Sequence, residues 1–193
     1  MEDFKSLLIK EFSPYGALNA DQLNCLEDHY ELLLRWNQKV NLTRITSLTD
    51  AVRYHYCESL YLAQSLPKRA LRIIDIGSGG GFPGIPLAIY RPDCEVTLVE
   101  SHQRKAVFLG EAVRNLANVR VLPQRAENVG GEYDWMVSRA VRAKDILKLR
   151  LAANISILGA DGNKLPWGEA RGLFHVKHNL NLSERAIVSD NAR

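Results

Sequence analysis

The chain has 193 residues, 46% of them hydrophobic and 24% charged, values that fit one globular domain with an extension and exclude a disordered chain. Its three cysteines, Cys25, Cys57 and Cys94, are odd in number and widely spaced, which excludes a disulfide framework or a zinc site and points to a reducing compartment. The net charge of +3 is uneven: residues 1–34 carry two cations against seven acids, and the rest carries +8, which fits either a body that faces a polyanion under an acidic cover or an unevenly charged solvated surface.

Residues 3–12 predict a short helix stopped near Ser13-Pro14 and Gly16. Asn19 is a good N-cap for a second helix from Ala20 to Gln38, with Leu23, Leu26, Tyr30, Leu33 and Leu34 at helical spacing. A third helix, Leu48 to Leu66, ends at Pro67. The start, MEDFKSLLIKEF, lacks the basic and apolar regions of a signal peptide, and no apolar run approaches the roughly 20 residues of a membrane span, so a cytoplasmic protein is expected.

After Pro67 the rhythm changes to strands alternating with helices. Strands are expected over Leu71–Ile76, Glu95–Glu100, Val119–Leu122, Tyr133–Ser138, Ile155–Leu158 and Ala186–Ser189. Helices are expected over Gly84–Tyr90, His102–Asn115 and Lys144–Ala153. This alternation predicts β-α-β units and a doubly wound, mostly parallel sheet spanning residues 67–193, with residues 1–66 as a helical cap.

Residues 75–84, D-I-G-S-G-G-G-F-P-G, hold five glycines directly after the first strand. In open α/β sheets, ligands bind beyond the carboxyl ends of the strands, where this loop lies. It lacks the G-x-x-x-x-G-K-[ST] of a nucleoside triphosphatase. Asp75 would repel a pyrophosphate but suits a cationic amino group, directly or through water, although an acid in such a place is more commonly a loop cap. Glu100, ending the second strand, can accept both ribose hydroxyls. Two acids around a glycine loop describe a site for adenosine plus an amino-acid group, which S-adenosylmethionine matches better than NAD does.

The blocks DIGSGGGFPGIPLAIYRP, VTLVES, KAVFL, NVRVLPQRAE and DWMVSRAV, with WNQKVNLTRIT and YHYCESL upstream, resemble the RsmG/GidB family of bacterial 16S rRNA guanine-N7 methyltransferases. The resemblance implies a class I, Rossmann-like methyltransferase fold and transfer of a methyl group from S-adenosyl-L-methionine to N7 of a guanosine in the 530 loop, leaving S-adenosylhomocysteine. It implies cofactor contacts at Gly77 and Phe82, at Ala126 and Glu127 of RAE, and at Arg139 of SRA, beside Asp75, Gly79 and Glu100 from the loop reading. Phe82 is further expected to line the pocket, because a glycine loop offers an aromatic little core.

No proton leaves guanine N7 on methylation, so no general base is required and none is sought; Arg139 and His55 are the positioning candidates. Arg104, Lys105, Arg125, Arg142 and Lys144 are candidates for RNA backbone contacts. Expected partners are 16S rRNA and the small ribosomal subunit, with no membrane, no DNA, no metal and a monomeric state. A small-molecule methyltransferase, a non-catalytic ribosome- or RNA-binding protein and an NAD-dependent oxidoreductase are the alternatives. Glu58-Ser59 replaces the family's usual Asp-Ser, and LGADGNKLPWGEARG stands where a Lys-Gly element follows the sixth strand.

Overall fold

The computed structural model describes residues 3–139, 141–159, 163–165 and 168–177. Four helical segments lead: α1 (Phe4–Phe12), α2 (Ala20–Asn37), α3 (Leu48–Ala51) and, after a π-helical turn at Val52–Cys57, α4 (Glu58–Ser65). Asp3 caps α1 by accepting from Ser6 N, and Asn19 with Gln22 forms a reciprocal capping box at α2. The third expected helix is therefore continuous in outline but wound more loosely over VRYHYC.

Then come β1 (Arg72–Ile76), α5 (Gly84–Tyr90), β2 (Glu95–Val99), α6 (Gln103–Ala112), β3 (Val119–Leu122), β4 (Tyr133–Arg139), α7 (Ala143–Ile146), β5 (Ala152–Gly159), β6 (Asn163–Leu165) and β7 (Gly168–Lys177). The strands form one seven-stranded sheet in the order β3-β2-β1-β4-β5-β7-β6. The first five are parallel, and β7 runs antiparallel to both β5 and β6. Four of the five residues of β1 and of β2 are buried, as strands covered on both faces must be.

Two expectations fail. The helix expected over Lys144–Ala153 is a four-residue turn, because Ala152 already pairs with Tyr133 in β5. Arg150 adopts φ 48°, which also breaks the helix. The polar segment after residue 159 supplies β6 and β7, where the sequence predicts no strand. The strand expected over Ala186–Ser189 lies outside the described residues. Among the described residues, no helix is long and apolar enough to cross a membrane.

The cap has no core of its own. One buried cluster runs from Phe4, Leu8 and Phe12 through Leu26, Tyr56 and Leu60 to Ile73, Phe82, Ile85, Leu98 and Phe108. Phe12 meets the ring of Tyr90 on α5 edge-on at 5.8 Å. Phe12→Ala is expected to lower stability by about 3–5 kcal/mol and to leave one cooperative transition in urea, followed by circular dichroism and tryptophan fluorescence. Two separated transitions, with only the first one shifted, would make the cap an independent domain.

Candidate functional site

Because the five strands are parallel, the segments after β1, β2, β3 and β4 meet along one edge of the sheet. The glycine loop occupies the middle of that edge. Its backbone is tied to the end of β2 by Gly77 N and Ser78 N, which donate to Val99 O at 2.9 and 3.1 Å. Gly77 has φ +72°, and a Cβ there would lie 2.8 Å from Val141 Cγ2. Gly81 has φ +86°, and a Cβ would lie 2.4 Å from Ile85 Cδ1. At both positions conformation and space together demand glycine.

Two carboxylates hold this loop. Glu100, nearly buried, accepts from Gly79 N at 3.0 Å and from His102 N at 2.8 Å. It thereby joins the loop to the start of α6, and each oxygen retains capacity for a further donor. Asp75 is fully buried, and its Oδ2 accepts from Gly84 N at 3.0 Å at the start of α5. Its Oδ1 is buried with no hydrogen-bond partner among the described residues. Asp75 is therefore a loop cap, and its expected meeting with a cationic group is confined to that second oxygen. Burial pushes its carboxyl up to about 7, against the lowering effect of Gly84 N–H.

A third support is not evident in the sequence. His29 of α2, buried, spans Tyr56 Oη at 3.0 Å and the carbonyl of Gly80 at 3.1 Å. A carbonyl only accepts, so Nε2 carries the proton and donates to Gly80 while Nδ1 accepts from Tyr56. Burial pushes this imidazole down to about 4, which keeps it neutral. His29 faces the loop one turn before Leu33 on α2, and Leu33 Cδ1 lies 3.1 Å from where a Cβ on Gly80 would sit. The only sequence signal is a histidine near an apolar helical stripe, which by itself does not name its partner.

Phe82 does not stand in an open pocket. It is 2% exposed, stacked on His55 with centroids 4.5 Å apart and edge-on to Tyr56 and His29. The expectation that a glycine loop leaves an aromatic no core is thus corrected: the cap helices provide that core. Arg139, ending β4, has its guanidinium carbon 4.8 Å from the Phe82 centroid. It donates to Tyr54 O at 2.8 Å and meets His55 Nδ1 at 2.5 Å.

His55 is buried, and its Nε2 donates to Thr43 Oγ1 at 2.7 Å, a hydroxyl that also receives Ile45 N. Asn37 fixes the same turn by accepting from Leu42 N and Thr43 N. A hydrogen-bonded chain therefore runs from NLT through the π-helical turn to the end of β4, and it binds these distant blocks into one unit. Neither His55 nor Arg139 is a simple surface group.

Ala126 and Glu127 form a short 3-10 turn, Ala126–Asn128, just after β3 on the same edge. Ala126 packs against the second core cluster, and Glu127 is exposed. Arg104 and Lys105 lie in the first turn of α6, Arg125 just before the 3-10 turn, and Arg142 and Lys144 after β4. All five follow the carboxyl end of a strand, at the same end of the sheet as the glycine loop. Arg142 is 73% exposed and pairs with Asp145 at 2.8 Å, a contact worth little in water.

A parallel sheet in the order β3-β2-β1-β4-β5 with an antiparallel β7, a glycine loop after β1 and an acid after β2 define the class I S-adenosylmethionine-dependent methyltransferase fold. A protein-L-isoaspartate O-methyltransferase assignment from Plasmodium falciparum, solved with S-adenosyl-L-homocysteine, has this fold. It aligns with a TM-score of 0.50 at 15% identity, over 93% of this chain and 91% of that one.

Residues 22–155 match the family described as GidB, rRNA small subunit methyltransferase G, and the chain belongs to that family. Ribosomal RNA small subunit methyltransferase G of Clostridium perfringens strain SM101 is 35% identical over 90% of this chain and 71% of its own length. The protein of that name from Geobacter sp. strain M21 is 41% identical over 72% and 67%, respectively. The one from Desulforamulus reducens is 37% identical over 67% of this chain, which spans only 58% of that relative.

The two buried titratable groups beside the loop act on stability with opposite sign. The unfolded chain binds more protons at His29 between about pH 4 and 6.5, so that group makes stability rise with pH there. The folded chain binds more protons at Asp75 between about pH 4 and 7, so that group makes stability fall with pH. The two effects therefore oppose each other over this range. Asp75→Asn is expected to give stability that climbs from pH 4 to 6.5, and His29→Gln stability that declines from pH 4 to 7, both by urea titration. Flat profiles in both variants would contradict these assignments.

Proposed function

We propose that this protein is an S-adenosylmethionine-dependent methyltransferase that modifies N7 of a guanosine in the 530 loop of 16S rRNA, in the cytoplasm and as a monomer. The observation that carries this reading is that the family match over residues 22–155 contains the whole glycine loop and both of its carboxylates. The residues fit the cofactor: a loop open to close backbone approach, a carboxylate with spare acceptor capacity after β2, and a buried orphan oxygen on Asp75.

In this reading Gly77 and Gly79 present backbone to the donor, and Glu100 accepts from the ribose hydroxyls. The N–H of Ala126 and the carboxylate of Glu127 face the adenine edge, and Asp75 Oδ1 takes the amino group through a water molecule. Phe82 acts from behind, holding the loop between the cap and the donor. When bound, the cofactor supplies an electrophilic methyl group on a sulfonium.

Guanine N7 offers an in-plane lone pair and no proton, so the protein has to align two reactants about 3–3.5 Å apart rather than to move a proton. Arg139 is held by Tyr54 O and His55, which fits orientation of the acceptor at the rim. His55 is a positioning residue that acts through Arg139. Arg104, Lys105, Arg125, Arg142 and Lys144 would meet phosphates along the edge, providing affinity without base readout.

Small ribosomal subunits from a strain lacking the modification, incubated with the protein and labelled S-adenosylmethionine, should gain one methyl group. Borohydride and aniline should then cleave the 16S rRNA at one new position, in the 530 loop. Cofactor binding without incorporation would instead favour a non-catalytic RNA-binding protein, and transfer only to small molecules would displace the RNA as acceptor.

A further inference from the structure

A second feature lies between α2 and α6. The carboxyl-terminal end of α2 and the length of α6 enclose an open groove of about 590 Å³, lined by Leu32, Arg35, Trp36, Lys39, Arg104 and Glu111. A second cavity of about 250 Å³ shares Leu32, Arg35 and Glu111 with it and adds Arg114 and the acid Asp28. The two form one track along the α2–α6 seam.

The charge in this groove is not what the helices themselves ask for. Arg35 and Lys39 suit the negative end of α2, but Arg104 and Lys105 sit at the positive end of α6, whose first turn has no acid of its own. Glu100 accepts from His102 N just before that turn, and a cation cannot cap a helix N-terminus, so capping does not account for Arg104 and Lys105. Lys39 and Arg104 form no ion pair among the described residues, and Arg35 has only a loose, exposed pair with Glu31 at 3.8 Å. The single acid in the main groove, Glu111, has Oε2 engaged by the indole N–H of Trp36 at 3.1 Å. Trp36 is half-buried, with an edge-on contact to Phe108 beneath it.

We infer that this track binds single-stranded RNA outside the methyl-transfer site, with phosphates on Arg35, Lys39 and Arg104 and a base against Trp36. An aromatic flanked by cations is how proteins hold single strands without reading sequence. The extension into the second cavity fits several successive nucleotides rather than one free nucleotide. Since α6 begins directly after β2, a strand in the track leaves it at the rim of the donor loop. The inference deepens the RNA-methylation reading and rests on it.

The test uses the whole protein and a fluorescein-labelled twelve-residue oligoadenylate, followed by anisotropy across a salt series. The double charge reversal Arg35→Glu/Lys39→Glu is expected to weaken binding at least tenfold. It should also reduce the slope of log affinity against log salt by about 1.4, because each phosphate of a single strand that is no longer neutralised removes roughly 0.7. RNA should quench the fluorescence of the wild type and quench Trp36→Phe much less, with calorimetric S-adenosylmethionine binding unchanged in both variants as the check on folding. With ribosomal subunits, the charge reversal should raise KM and leave kcat intact. Wild-type affinity, slope and KM in the reversed variant would overturn the groove assignment and leave the methylation reading standing. Failure of the wild type to bind RNA at all, while it binds the donor, would overturn both.

Discussion

The hydrogen bond from His29 to the carbonyl of Gly80 crosses the boundary between the cap and the sheet, and it helps to set the shape of the glycine loop. A ten-residue segment with five glycines has many conformations of similar energy, and only external partners can select one. Here Val99 O, Glu100, Asp75 and His29 each engage backbone groups of the segment from Gly77 to Gly84. Three belong to the sheet and its strand ends, whereas His29 belongs to the cap. The helices before residue 66 are consequently part of the site, which accords with the single hydrophobic cluster that joins them to the sheet.

That arrangement places two ionisable groups in the interior with no countercharge bonded directly to either. His29 avoids the penalty by remaining neutral, with both ring nitrogens satisfied. Asp75 carries more of it, since one oxygen has no partner among the described residues and burial raises its carboxyl to about 7. A buried acid left half-satisfied next to a ligand loop is a site where structure yields stability to binding. Arg139 illustrates the same coupling from the other side, because its guanidinium rests on Phe82 while its partners, Tyr54 and His55, belong to the π-helical turn.

Local signals are strong where a pattern and a stop signal coincide. The capping box at Asn19 and the glycine and proline around α5 mark both helices nearly to the residue, and β-branched runs mark β1 to β4. The placement of Glu100 beside the glycine loop is legible from its position at the end of β2. Tertiary effects override local ones elsewhere. ILKLRLAAN has helical spacing, yet pairing with β4 draws Ala152 into the sheet. Nothing in VRYHYC announces a π-helical turn, which accompanies the reach of His55 toward both Thr43 and Arg139. Phe82 defies its local context because its core comes from the cap residues His29, His55 and Tyr56, far earlier in the chain.

The central claim is that the glycine loop is the site of the methyl donor. Calorimetric titration of the wild type and of Gly77→Val with S-adenosylmethionine and with NAD tests it most directly. At Gly77 a side chain meets both a positive φ and Val141 at 2.8 Å. The account predicts one S-adenosylmethionine per wild-type chain, much weaker NAD, and no donor binding by a Gly77→Val protein that is still folded by circular dichroism. Tighter binding of NAD, or unchanged donor affinity in the variant, would contradict it.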